Sequence, residues 1–261
     1  MKQELVKSVV KLGNSACVML PKGWVNGKAK VVLVEEPINI KKDIFEILGD
    51  CLDKVVGIYL VGSYGRGDFT DDSDVDVLVV TSGIDKRIEK GKYEIILISA
   101  DKLEKQLEKN VLPLLPMIKE AKGIINDEFI EKYKKVELTR KNLKFHFETS
   151  RSAMKVVKEN LKLSEEMGTK EGAIAYSLVL RMRGVYIIDC IMKKKMWSRK
   201  EFLKLVRDVS GSGVIYDMYA KVKMDKKVGN LLEVKDAWRM HDWILEKLIK
   251  QEILIKKNEK K

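Results

Sequence analysis

Between two apolar runs, Val56–Val61 and Val75–Val80, lies the stretch GSYGRGDFTDDSDVD, from Gly62 to Asp76. It restricts the fold more than any other part of the chain. Runs rich in β-branched residues, bounded by glycine and polar clusters, read as buried strands. Three glycines, Gly62, Gly65 and Gly67, fall within six residues directly after the first strand. Such a turn exposes backbone N–H groups and lets a ligand approach closely. Asp74 and Asp76 stand at i and i+2, so on an extended chain both carboxylates project from one face. Two carboxylates held together are costly unless a cation lies between them, and Mg²⁺ is satisfied by a few carboxylates, water and phosphate oxygens. The stretch reads as a phosphate cradle beside a divalent-metal seat. Gly62 and Ser63 line the cradle, and Arg66 within the turn is placed to pair with a phosphate. Asp68, Asp71 and Asp72 read as exposed turn acids.

The neighbouring pattern is mixed. An amphipathic helix is expected over residues 41–53, a third strand over Tyr93–Ser99, a helix over Asp101–Lys109, a short strand over Gly123–Ile125 and a helix from Asn126. From Leu138 the periodicity turns helical. Leu138–Met167 ends at Gly168, a C-cap. A second helix spans Gly172–Lys195, Ser198-Arg-Lys-Glu201 opens a third as a capping box, and a last one spans Leu231–Leu254. The first 36 residues read instead as short strands, Leu5–Lys11, Cys17–Leu20 and Lys30–Val34, with a turn at Gly13–Ser15. The fold class is α+β. The expected domains are 1–38 (a small β module), 39–136 (mixed sheet) and 137–261 (helical).

Charge follows the same division. The chain of 261 residues carries 51 Lys and Arg against 39 Asp and Glu, net +12. Residues 41–135 are net −3, residues 1–40 are +3 and residues 136–261 are +12. A surplus of that size suits a polyanionic partner without naming it, and the lysine-rich balance equally suits a thermophile's surface. Arg181, Arg183, Lys193, Lys194, Lys195, Arg199 and Lys200 gather around the second and third C-terminal helices and could track a phosphate backbone. Tyr176 and Tyr186 beside them suit core packing better than base stacking. The three cysteines are far apart, which argues against structural zinc or a disulfide scaffold. The two histidines, His146 and His241, are too separated to suggest a metal site, and Asp236, His241 and Asp242 read as a polar helix surface. No apolar run approaches the roughly 18 residues of a membrane span, and the N-terminus lacks a signal-peptide core, so a soluble cytoplasmic protein is expected.

The Gly-Ser pair, the DxD ten residues on and the flanking strands resemble the DNA polymerase β-type nucleotidyltransferase superfamily. The likeness is to its small members: the minimal, the aminoglycoside and the archaeal CCA-adding enzymes. It covers roughly residues 42–135. The resemblance implies transfer of a nucleoside monophosphate from an NTP, ATP or CTP, to a hydroxyl, with two Mg²⁺ ions. Asp74 and Asp76 match the paired metal ligands, and Gly62 and Ser63 match the residues that hold the triphosphate. The third carboxylate of the family falls on a neighbouring strand, where Glu94 is the candidate. Spacing from the following helix points to Ile96 for the same place. Residues 1–36, through VKLGNS from Val10 and MLPKGW from Met19, resemble the swapped-hairpin AbrB/MazE-type modules. That implies a homodimer and possible DNA contact, with a packing appendage as the plainer alternative. The C-terminal helices loosely resemble the helical domain that walls the acceptor cleft in small nucleotidyltransferases.

The leading expectation is therefore an RNA-directed enzyme, a tRNA 3′ end being favoured as acceptor. The alternatives are a DNA-binding or antitoxin-like regulator whose transferase domain senses nucleotide or modifies a protein, and a small-molecule nucleotidyltransferase.

Overall fold

The computed structural model describes residues 4–34, 39–70, 73–167, 172–228 and 232–259. Asp71, Asp72, Gly168, Leu231 and the terminal Lys260 and Lys261 lie outside the described residues. The chain divides into two compact units, Met1–Asp43 and Ile44–Lys261.

In the first unit β1 (Val9–Leu12) and β2 (Ser15–Val18) form an antiparallel hairpin, with Leu12 opposite Ser15. Gly13 takes φ +60°, the left-handed region that a two-residue hairpin turn demands. Lys30–Val34, expected as a strand, pairs with nothing among the described residues. A strand needs a partner for its backbone N–H and C=O groups, and the described residues of this unit supply none. Val6, Leu12, Met19, Val25 and Val31–Val34 are left exposed.

The second unit is built on a mixed five-stranded sheet. Its strands are β3 (Val55–Leu60), β4 (Val75–Thr81), β5 (Lys86–Lys90), β6 (Tyr93–Ser99) and β7 (Lys122–Ile125), in the order β5-β6-β4-β3-β7. Only β4 and β6 are parallel; the other neighbours are antiparallel. β4 is central and almost wholly buried, which its run of valine and leucine requires. β5, KRIEK, is an edge strand with one apolar side chain, so alternation gave no sign of it. α1 (Ile40–Leu48) buries Ile44 and Leu48, and α2 (Gly62–Arg66) is a single turn after β3. α3 (Ala100–Lys109) buries Leu103 and Leu107, α4 (Leu115–Glu120) carries a proline in its first turn, and α5 (Asp127–Lys134) is capped by the Asn126 side chain.

Five helices follow: α6 (Arg140–Met167), α7 (Gly172–Met192), α8 (Arg199–Ser210), α9 (Val214–Lys223) and α10 (Val234–Asn258). The Ser198 hydroxyl accepts from the Glu201 N–H at 3.1 Å, the cap expected for α8. α9 was not foreseen. The sheet and the helices share one core: Tyr59, Leu78, Leu103 and Leu115 join Leu143, Leu178, Met218 and Ile244 in a single buried cluster. Tyr176 and Tyr186 pack against it.

Two polar side chains expected at the surface are buried. Asp236 accepts a hydrogen bond from the Ser212 hydroxyl at 2.9 Å, and His241 Nδ1 lies 2.8 Å from the Asp242 carboxylate. Both sit on the face of α10 that meets the bundle, where these partners offset the cost of burial.

His146 is also buried, and its Nε2 has no hydrogen-bond partner. Burial, with Arg181 nearby, pulls its pKa down to about 4. The folded protein therefore refuses a proton that the unfolded chain accepts near pH 6.5. Stability from this group should be fully present above that pH and fall between about pH 6.5 and 4, by about 3 kcal/mol. Urea unfolding across that range should show the wild type losing about that much relative to His146→Gln, whose other titrating groups are the same.

Candidate functional site

The site lies where the end of β3 meets the start of β4. The Val61 N–H donates to the Asp76 carbonyl at 3.0 Å, and the Val75 N–H donates to the Lys92 carbonyl at 2.7 Å. These bonds seat the start of β4 between β3 and β6. Asp76 is directly opposite Glu94 on parallel β6, and Ile96 is opposite Leu78, one step deeper. Of the two candidates for a third acid, Glu94 is thus the residue beside the aspartates. Its carboxylate also meets Arg87 of β5 at 2.8 Å.

The backbone of Gly62 has φ +62°, and a Cβ there would collide with the Asp76 carboxylate. Glycine is required twice over, by the left-handed conformation and by the close approach. Gly65 is enclosed as well: a Cβ would stand 2.8 Å from the Glu120 carbonyl and 2.9 Å from that of Leu60. The Gly67 and Asp68 N–H groups both donate to the Ser63 carbonyl, at 2.8 and 3.0 Å. The turn is therefore fixed by its own backbone.

Asp74 is exposed, while Asp76 is half-buried. Burial, then the charges of Glu94 and Asp74, push the Asp76 pKa up to about 6, against the pull of Arg66 and Lys223. Three acids crowding one face is a repulsion that a cation relieves. Among the described residues no group of three or more His, Cys, Asp or Glu is gathered tightly enough to hold an ion by itself. The donor set fits a hard divalent cation whose shell is completed by water and substrate oxygens, not an all-protein cage.

Arg66 points to the chain's own acids. Its NH1 meets buried Glu120 at 2.7 Å, and its NH2 and Nε meet Asp68 at 3.0 and 3.1 Å. A phosphate would have to replace one of these partners. Glu120 also accepts from the Gly62 N–H at 2.6 Å and from the Trp197 indole at 3.0 Å. Burial lifts its pKa above the usual carboxylate range, against the pull of Arg66 and the other donors.

The expected basic cluster is spread out. Arg183, Lys193, Lys194, Arg199 and Lys200 are exposed. Arg181 is half-buried, with its Nε enclosed and without a partner. It lies 12 residues from Lys193 on the same helix and its extension, roughly 18 Å along the axis. The α7–α8 connection reaches the glycine turn, since the Arg199 N–H donates to Asp68 at 3.4 Å.

Three residues at the site were missed in the sequence: Glu120, Trp197 and Lys223. A lone acid at the end of the apolar stretch VLPLLPMIKE was a signal for Glu120. Nothing local marks the other two.

Residues 41–146 match the nucleotidyltransferase domain family. A putative protein adenylyltransferase of Methanocaldococcus jannaschii is 45% identical over 60 residues, 23% of this chain and 58% of that protein. The chain thus spans under two thirds of the length of this relative. Among solved structures, a nucleotidyltransferase-like protein of Exiguobacterium sibiricum aligns with TM-score 0.37 at 12% identity, covering 81% of this chain and 74% of that one. The spectinomycin adenyltransferase AAD(9) of Enterococcus faecialis, solved with ATP and spectinomycin, aligns with TM-score 0.40 at 16% identity, covering 80% and 98%.

Gly62→Ala tests the close approach. The left-handed backbone alone should cost about 1–2 kcal/mol, and Asp76 must also move. Urea unfolding should show at least that loss, while Gly91→Ala, at φ +57° and with nothing within 4 Å of a Cβ, reports the backbone cost without the collision.

Proposed function

Because residues 41–146 match the nucleotidyltransferase domain family, we propose that the chain transfers a nucleoside monophosphate from an NTP to an acceptor hydroxyl. The observation that carries this reading is the register that puts Glu94 beside Asp76, with Asp74 two residues before it and Gly62 backed against the pair. The acceptor oxygen attacks the α-phosphorus, the bond to the bridging oxygen breaks, and pyrophosphate leaves. Asp74, Asp76 and Glu94 would hold Mg²⁺, two ions by family likeness, which would neutralise charge on the phosphate oxygens. Glu94 is placed to take the acceptor's proton. Gly62 and Ser63 position the triphosphate, with Arg66 a further candidate, and the positive charge of Lys223 on α9 acts on Asp76. Positioning and electrostatics supply most of the rate in such transfers.

ATP is the proposed donor, because the relative matched over 60 residues is named an adenylyltransferase. Two acceptors have separate support. The exposed Arg183, Lys193, Lys194, Arg199 and Lys200 favour RNA, a tRNA 3′ end included. The printed name of that relative favours a protein hydroxyl. The apolar residues left exposed in the N-terminal hairpin support a homodimer through that unit, and its lysines leave DNA as a possible partner.

Labelled ATP with Mg²⁺, total RNA and total protein should decide the acceptor. Label in RNA supports the first, label in protein the second, and label in neither but pyrophosphate release with small alcohols supports a small-molecule acceptor. Asp74→Ala and Asp76→Ala should each lower transfer by about 10²- to 10³-fold, and EDTA should stop it until Mg²⁺ is restored. No pyrophosphate release with any acceptor, and tight salt-sensitive binding to duplex DNA, would replace the transferase reading with the regulator reading. Lys223→Ala should raise KM for ATP and leave kcat nearly unchanged.

A further inference from the structure

The geometry points to Glu120 as a positioning residue that, with Trp197, holds the glycine turn in register with the helical region. Glu120 is the last residue of α4 and is 6% exposed. A carboxylate so enclosed persists only if its oxygens are met by strong donors. It has three from two places: the Gly62 N–H at 2.6 Å and the Arg66 guanidinium at 2.7 Å from the turn, and the Trp197 indole at 3.0 Å from beyond α7. Trp197 is itself 6% exposed and comes from the connection between α7 and α8. Two residues on, the Arg199 N–H reaches Asp68, whose other oxygen holds Arg66. The network is closed. The turn cannot shift without breaking a buried charge-assisted contact, and the α7–α8 connection cannot shift without pulling on the turn.

This assignment rests on the transferase reading for its consequence, but not for its geometry. A turn fixed at Gly62 and Arg66 presents Gly62 and Ser63 to substrate in one orientation. Loosening it should weaken nucleotide binding more than it slows the chemical step, because Asp76 and Glu94 are held by the sheet and Asp74 directly precedes it.

Two conservative variants test it in the full-length protein. Trp197→Phe keeps the ring and removes one donor. Glu120→Gln keeps the shape but turns an N–H₂ group toward donors. Amide hydrogen exchange should speed by about tenfold at Gly67 and Asp68 in both variants, with β3 and β4 as protected as in the wild type. KM for ATP should rise by about tenfold with kcat changed less than threefold, and the double variant should be no worse than the poorer single one. Unchanged exchange in the turn, a fall in Tm with KM unaltered, or additive effects would overturn the assignment. Faster exchange in the turn of a protein that turns over no nucleotide would uphold the positioning role and sink the transferase reading.

Discussion

A single backbone hydrogen bond, from the Val61 N–H to the Asp76 carbonyl, decides what the middle of this chain can be. It joins the last residue before the glycine turn to the residue that carries the most buried of the three acids. With it in place, the loop from Gly62 to Asp74 must leave and return at the same point. The turn is then pressed against Asp76, and no side chain larger than hydrogen fits at position 62. The parallel pairing of β4 with β6 does the rest, since it puts Glu94 level with Asp76. The concentration of negative charge is therefore imposed by strand register, and the sheet bears its cost.

Much of this was legible because it is local. The central strands announce themselves as valine-rich runs, the glycines as a turn, and the two aspartates by their spacing. The choice between Glu94 and Ile96 was open because it depends on register between strands, which one strand's sequence does not contain. β5 was hidden because an edge strand needs little apolar surface. Glu120, Trp197 and Lys223 were invisible for a further reason. Each comes to the site from an element more than forty residues beyond Asp76, and apart from the apolar stretch that Glu120 ends, nothing in its own neighbourhood marks its role. Asp236 and His241 failed differently: their polarity suggested the surface, but the packing of α10 left them inside with partners.

The acidic middle and the basic end also look different in three dimensions. The carboxylates sit at the start of β4 and β6, in a sheet that shares one hydrophobic core with the helices. Arg183, Lys193, Lys194, Arg199 and Lys200 of the helical half have exposed side chains, and it is the Trp197 indole and the Arg199 backbone N–H that reach the acids beside the glycine turn. The two regions meet through uncharged donors, the Arg199 backbone N–H at Asp68 and the Trp197 indole at Glu120.

The charged edge strand has a consequence of its own. Sheets grow by recruiting a neighbour along an unpaired border, and that is the usual route to unwanted aggregation. Here one border is β5, where Lys86, Arg87, Glu89 and Lys90 surround a single isoleucine. The other is β7, only four residues long. A foreign strand would find opposed charges on one side and too short a seam on the other. The five-stranded sheet is closed to lateral growth, so self-association of this chain has to proceed through some other surface.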